Sequence, residues 1–332
     1  MNDMNLNKLK RCPTLLTLRF KQTTCLLFTA FCAFCMTSCN NEDEFDPNEI
    51  RLGGQLTTMN VDTRGTGPIT GVKPSQALSL NIYRADATSG TTYGGTYTSN
   101  FTGTMAATSG TITMNPLQYY LADVTRSTKL IALYPSGGTY SSANKTVTYA
   151  ALDGGTDIMC SAPVQGSRNT PMSAMTFSHM LTQVHVQVKA QNAAAVAAWG
   201  NVTGITIAGK KTSVVVTLPN PTSGAASIAA TGAATALPLT TPNGGPASTS
   251  QTLTTTAATY GYGMFLPVTT AGTLTFNITT AKGGTQTLTT ATAQKFEAGK
   301  AYVMEITFNV EAISVTATLT DWAPGNTITG KL

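Results

Sequence analysis

Apolar and polar residues alternate along this chain in short bursts, and the period of two predicts strands with one face buried. Leu78-Ser79-Leu80-Asn81-Ile82-Tyr83-Arg84 alternates in this way. So does Lys129-Leu130-Ile131-Ala132-Leu133-Tyr134, which stops at the turn signal Pro135-Ser136-Gly137-Gly138. Further strands are predicted at Leu52–Val61, Lys145–Ala150, Val184–Val188, Val202–Ala208, Ser213–Leu218, Leu274–Ile278, Gln286–Thr290 and Tyr302–Val310. Turns rich in Gly, Pro and Asn separate them at short intervals, as in β-sandwiches. Helical periodicity is scarce: Ala193–Trp199 predicts one short helix or turn. Ser223–Thr259, rich in Ala, Thr and Gly and low in charge, predicts short strands mixed with long loops. The fold class is all-β. The 293 residues after Cys39 (332 − 39) are long for one sandwich, so two sandwich domains in tandem are expected. The change of composition near Asn192 places them at 65–191 and 192–332.

The first 39 residues follow another pattern. Lys8, Lys10, Arg11, Arg19 and Lys21 precede an apolar run, Cys25–Met36, and then Thr37-Ser38-Cys39. A basic segment, a short apolar core and small residues at the cut make a secretory signal. As a helix the run would reach only ~18 Å, against ~30 Å of bilayer hydrocarbon, so it is too short to span. With Cys39 at the cut, residues 1–39 resemble a bacterial lipoprotein signal, which implies that the Cys39 thiol is acylated and becomes the new N-terminus. A plain cleaved signal and an irregular anchor are the other readings of the same residues. Asn40-Asn41-Glu42-Asp43-Glu44-Phe45-Asp46-Pro47 is acidic and polar, the composition of a tether. Its place after the Cys resembles the surface-export signal of some outer-membrane lipoproteins.

Composition narrows the chemistry. Five of the six cysteines lie in residues 1–39, so the body has Cys160 alone. A disulfide framework and a cysteine metal site are excluded, and Cys160 is expected to be a small buried residue. The whole chain has 20 Lys/Arg and 15 Asp/Glu, of which residues 1–39 hold five and one. The remainder, 15 against 14, carries no basic stripe for nucleic acid. The histidines, His179 and His185, would lie ~20 Å apart in one straight strand, too far to share a metal or a proton relay. Asp153-Gly154-Gly155-Thr156-Asp157 falls short of a calcium loop and is expected to be a turn. No nucleophile, acid–base pair or phosphate loop stands out, and no cofactor or metal is expected. Tyr93, Tyr97, Phe101, Tyr119, Tyr120, Tyr260 and Tyr262 could form a glycan platform, against a packing role in core and hairpins.

Phe177-Ser178-His179-Met180-Leu181-Thr182-Gln183-Val184-His185-Val186-Gln187-Val188 changes its apolar phase near Thr182, which predicts a bulge or bend and a packed, hydrogen-bonded His179. The F-x-H-x-L-x-x-V-x-V-x-V run resembles a hallmark segment of fimbrillin-like pilins, the subunits of type V pili. Thr63-Arg64-Gly65, Leu133-Tyr134-Pro135, Asp157-Ile158-Met159, Gly299-Lys300-Ala301-Tyr302 and Asp321-Trp322-Ala323-Pro324-Gly325 occur in the expected order. The resemblance implies two transthyretin-like β-sandwich domains. It also implies export as an outer-membrane lipoprotein, cleavage by an Arg-specific protease and polymerisation with identical or related pilin subunits by donor strand exchange.

Arg64 lies in a loop by composition and is the expected processing site, with Arg51 second. Residues 40–64 would then be tether and removable first strand. Ile313, Val315, Ala317 and Leu319 alternate with polar residues and are the candidate donor strand, followed by a last short strand at Thr327–Leu332. Both could instead complete the sandwich of their own chain. The expected product is a non-enzymatic, adhesion-supporting subunit of an extracellular fimbrium. Stalk, tip and anchor roles stay open, and the alternative is a tip adhesin or a monomeric surface glycan-binding lipoprotein.

Overall fold

The computed structural model describes residues 46–56, 76–107, 109–241, 247 and 250–320. In chain order the first strands are β1 (Leu52–Leu56), β2 (Leu78–Ser89), β3 (Thr92–Tyr93), β4 (Ser99–Met105), β5 (Thr111–Asn115), β6 (Thr128–Tyr134) and β7 (Thr139–Ser141). Then come β8 (Thr146–Tyr149), β9 (Met159–Ser161), β10 (Val164–Gly166), β11 (Met175–His179), β12 (Thr182–Ala190), α1 (Ala193–Trp199) and β13 (Val202–Thr217). β14 (Ser227–Pro238), β15 (Ala258–Phe265), β16 (Val268–Gly272), β17 (Thr275–Thr280), β18 (Gly284–Thr289), β19 (Gln294–Phe296), β20 (Ala301–Phe308) and β21 (Ile313–Thr320) complete the set. The expected all-β class is what is found. From Pro47 onward the chain clusters as one compact unit.

The first nine-stranded sheet closes on itself. Its path runs β6-β9-β11-β1-β5-β4-β2, and β2 pairs back onto β6, so seven strands form a ring. Leu78, Leu80 and Ile82 of β2, Leu130 and Ala132 of β6, Met159 of β9 and Phe177 of β11 fill its inside. The alternate residues of the same strands, Tyr83, Ala85, Ile131, Leu133 and Cys160, face outward into a second core. There they meet Val147 and Tyr149 of β8 and Val214 and Val216 of β13. The middle of β2 is therefore buried on both faces, although its sequence alternates.

A third core lies between β12, β15, β20 and β21 on one side and β13, β17 and β18 on the other. β13 serves two cores: Val202, Ile205 and Ile207 enter the third, and Val214 and Val216 enter the second. The separate strands expected at 202–208 and 213–218 are thus one element. Two register shifts, beside Gly209 with its φ of 67°, bend it between its two partners β17 and β8. Strands on both sides of residue 192 share sheets, since β12 lies between β15 and β20 while β8 lies beside β13.

The phase change near Thr182 is a change of sheet. β11 ends at His179 inside the ring sheet, and β12 begins at Thr182 between β15 and β20. His179 and His185 accordingly belong to different sheets. The helix expected after Asn192 is α1, where the Asn192 side chain accepts a hydrogen bond from the Ala195 N–H at 2.9 Å. Trp199 closes it by donating its indole N–H to the Asn309 carbonyl at 2.6 Å.

Candidate functional site

β1 is the stave of the ring nearest the chain's start. It runs parallel to β11, with Gly54, Gln55 and Leu56 opposite Met175, Thr176 and Phe177. It runs antiparallel to β5, with Leu52 and Gly53 opposite Ile112 and Thr111. Ile50, Leu52 and Leu56 point into the ring and are buried in its core. Burying three such side chains contributes roughly 5–9 kcal/mol. The expected strand Leu52–Val61 is described as far as Leu56, and residues 57–61 lie outside the described residues. Just upstream, the Ile50 N–H donates to the Gln118 carbonyl and the Tyr120 N–H donates to the Asn48 carbonyl, both at 2.8 Å. Arg51, the second candidate for processing, makes an exposed 3.3 Å pair with Glu49, of a kind that adds little stability.

Gly54 fills the third inward position of this segment. A Cβ there would lie 2.9 Å from Met105 Sδ and 3.1 Å from Ile112 Cδ1, so a methyl fits only by moving the flexible end of Met105 and a larger side chain does not fit. The Gly54 N–H donates to the Gly110 carbonyl at 2.6 Å. Gly110 has φ +73°, and a Cβ on it would overlap the Gly54 carbonyl oxygen. The strand and the turn before β5 therefore meet glycine to glycine.

The candidate donor residues lie on β21, the edge strand beyond β20, paired antiparallel over its whole length from Phe308↔Ile313 to Ala301↔Thr320. Val315 is buried at 3 % exposure, and Ile313 and Ala317 pack half-buried against the same core. Leu319 pairs by its backbone with Tyr302. The outer edge of β21 has no strand beside it among the described residues. Cys39, Arg64 and the 321–325 segment lie outside the described residues.

The remaining candidates are structural. His179 Nδ1 lies 2.6 Å from Asp157 Oδ2, with both side chains buried. Asp153 accepts hydrogen bonds from the N–H groups of Gly155 and Thr156, which makes its segment an Asx turn. Burial pushes the Cys160 thiol up to about 12, outside the range of a reactive cysteine. Tyr93, Tyr97, Phe101, Tyr120 and Tyr260 are buried, so they build no platform. Tyr262 stacks on His185 at 4.5 Å, and Tyr119 is exposed at 44 %. Among the described residues no three His, Cys, Asp or Glu side chains converge to hold a metal ion. Sequence reasoning missed Ile50 and Gly110. Only the Gly53-Gly54 pair inside an apolar alternation signalled a close approach.

Closed and layered sheets around three apolar cores, with a short Gly-rich stave in the ring and an alternating strand on an outer edge, define an all-β protein. Residues 63–322 match the model of the fimbrillin-like family, 260 of 332 positions, and the chain belongs to that family. The family makes it a structural or adhesive component of a surface fimbrium, which meets other pilin subunits, and not an enzyme. No curated protein matches.

Among solved structures, a candidate cell-adhesion protein of Bacteroides uniformis superposes with a TM-score of 0.56 at 20% identity, covering 84% of this chain and 100% of that one. A candidate cell-adhesion protein of Bacteroides ovatus gives 0.50 at 17%, covering 84% and 99%. A fimbrial protein of Bacteroides vulgatus gives 0.41 at 16%, covering 83% and 100%. At these identities the first two speak for the fold.

Proposed function

We propose that the chain is a fimbrial subunit exported as a lipoprotein through Cys39, cut after Arg64, and polymerised when β21 of a neighbour replaces β1. One observation carries this reading. The inward positions of the first segment read Ile50, Leu52, Gly54, Leu56, and those of β21 read Ile313, Val315, Ala317, Leu319. Both are large, large, small, large at a spacing of two. The small residue falls where Met105 and Ile112 leave least room. Removal of β1 would leave the facing edges of β5 and β11 unpaired and the ring core open, a template for strand addition.

The test is limited digestion of the full chain with an Arg-specific protease, followed by unheated SDS gels. A cut after Arg64 followed by an SDS-resistant ladder is expected, and a chain ending at Val310 should give the cut without the ladder. A ladder from that truncated chain, or from uncut protein, refutes the reading. Loss of residues 40–64 with the product still monomeric would favour a tip adhesin, which accepts a strand and donates none.

A further inference from the structure

The 70 residues from Thr212 to Ala281 (281 − 212 + 1) contain no Lys, Arg, His, Asp or Glu. β14 runs through the middle of this stretch. One of its edges pairs with β13, and among the described residues no strand lies on the other. Eight consecutive residues, Ala229–Ala236, are exposed, so the strand is open on both faces as well as along one edge. Open edges are ordinarily guarded by charged side chains or proline. β14 has no charge, and its one proline, Pro238, is its last residue.

We propose that this edge pairs with β14 of a second copy of the chain, antiparallel about a two-fold axis between Gly232 and Ala233. The sequence Ser227-Ile-Ala-Ala-Thr-Gly-Ala-Ala-Thr-Ala-Leu-Pro238 is nearly its own reverse. In this register Ala229 meets Ala236, Ala230 meets Thr235 and Thr231 meets Ala234, while Ile228 and Leu237 meet at the ends. From Ala229 to Ala236, small uncharged side chains face small uncharged side chains. A charged partner finds no complement on this edge.

The backbone supports the same register. Between the pairs Lys211↔Ala234 and Ser213↔Thr231, two β14 residues stand opposite one residue of β13. Such a bulge shifts by one residue which N–H and C=O groups point outward. Outward groups on one side of the bulge therefore meet outward groups on the other when the strand pairs about its own centre. Without the bulge, a two-fold centred between two residues would mismatch every pair.

A two-fold contact closes on itself and cannot build a fibre. Eight residues at ~3.3 Å and a sheet ~10 Å thick bury roughly 500–600 Å² in total, below the ~1,200 Å² of a stable interface. The pair is weak between single molecules. It becomes strong where many copies are held in a row, so it would join fimbriae side by side. Only this last step rests on the proposed polymer.

The test uses the full, uncut chain and sedimentation up to about 0.5 mM, where a weak complex of this size is populated. Wild type should show a monomer–dimer equilibrium. Ala229→Lys with Ala236→Lys sets like charges opposite each other twice and should weaken it about 10-fold or more. Ala229→Lys with Ala236→Glu sets opposite charges in the same places and should restore it. All three proteins should melt alike, since both positions are exposed. A wild type monomeric throughout, or double variants that associate equally, overturns the proposal. Because nothing is cut, failure here leaves strand donation standing, and a missing ladder after proteolysis leaves this edge standing.

Discussion

Replacing Gly110 with alanine should loosen β1 more than any other single methyl added to the turns around the ring. Gly110 sits at φ +73°, where an L-residue costs about 1–2 kcal/mol. Its new Cβ would also overlap the Gly54 carbonyl oxygen, which belongs to rigid backbone and not to a side chain that can swing away. To reach an ordinary contact distance, β1 must retreat by about 1 Å, a shift large against the tolerance of a close-packed core. The 2.6 Å hydrogen bond from the Gly54 N–H to the Gly110 carbonyl would not survive, a loss of about 0.5–1.5 kcal/mol. Part of the packing of Leu52 and Leu56 goes with it, so the expected cost is roughly 3 kcal/mol. Gly90 is the control: its φ is +52° but a Cβ there meets nothing within 4 Å, so Gly90→Ala should cost about 1 kcal/mol from backbone strain alone. Urea unfolding gives both costs, and hydrogen exchange at Leu52–Leu56 reports on the strand itself. Equal destabilisation by the two variants, or unchanged exchange in β1, would refute the account of how β1 is seated.

Burial holds His185 at about 4 against its ordinary 6.5, with the ring stacked on Tyr262 and bonded to Thr259 Oγ1 at 2.8 Å. The unfolded chain takes up the proton first, so stability present above pH 6.5 is lost as pH falls toward 4, by about 2–3 kcal/mol once solvent screening at its open edge is discounted; urea titrations of His185→Gln should lack that slope. Cys160 should resist a thiol reagent at about pH 8 until denaturant is added, as peptide mapping would show. Asp157→Ala strips the buried His179 ring of its 2.6 Å partner and should lower stability by about 2–4 kcal/mol, read by thermal unfolding. Ala317→Leu should leave the melting of the uncut chain nearly unchanged, because Ala317 is half-buried on an edge strand, yet abolish the protease-triggered ladder; Met105→Ala, which widens the tight position, should restore it.

Alternation made β6, β12 and β20 legible, because one face of each is apolar wherever the other goes. β14 was hidden for the opposite reason. Both its faces meet solvent, so its Ala, Thr and Gly residues carry no period, and short strands mixed with long loops were expected where one twelve-residue strand runs. β13 read as two strands because Gly209-Lys210-Lys211 breaks the apolar rhythm at the bend. The closure of the ring depends on β2 meeting β6 from Asn81↔Leu133 to Asp86↔Thr128, a pairing between distant segments that no local pattern announces. The same holds at the site. Leu52 and Leu56 stand out in a strand pattern, whereas Gly110 matters only because Gly54, far away in sequence, comes against it.

The placement of the two strands bears on why proteolysis would be the trigger. β1 is hydrogen-bonded on both sides and, with Ile50 just before it, places three large side chains in the ring, so it would not leave an intact chain. β21 is bonded on one side only and buries chiefly Val315, so lifting it from β20 costs far less. While β1 is covalently attached, its effective concentration at the groove is millimolar or higher, and a neighbour's strand cannot compete. In the proposed assembly, a cut after Arg64 would make β1 part of a separate peptide while its own contacts in the ring stay as they are. That peptide is then diluted on each departure, and the groove it vacates is open to a neighbour's strand. The inward positions Ile313, Val315, Ala317 and Leu319 carry as many aliphatic carbons as Ile50, Leu52, Gly54 and Leu56, so hydrophobic burial is about equal for the two strands. Equal burial cannot displace a tethered strand, and once the tether is cut the dilution of the freed peptide decides the exchange. In the proposed assembly the protease therefore adds no contact to the fibre; it removes the entropic advantage that keeps the subunit closed on itself.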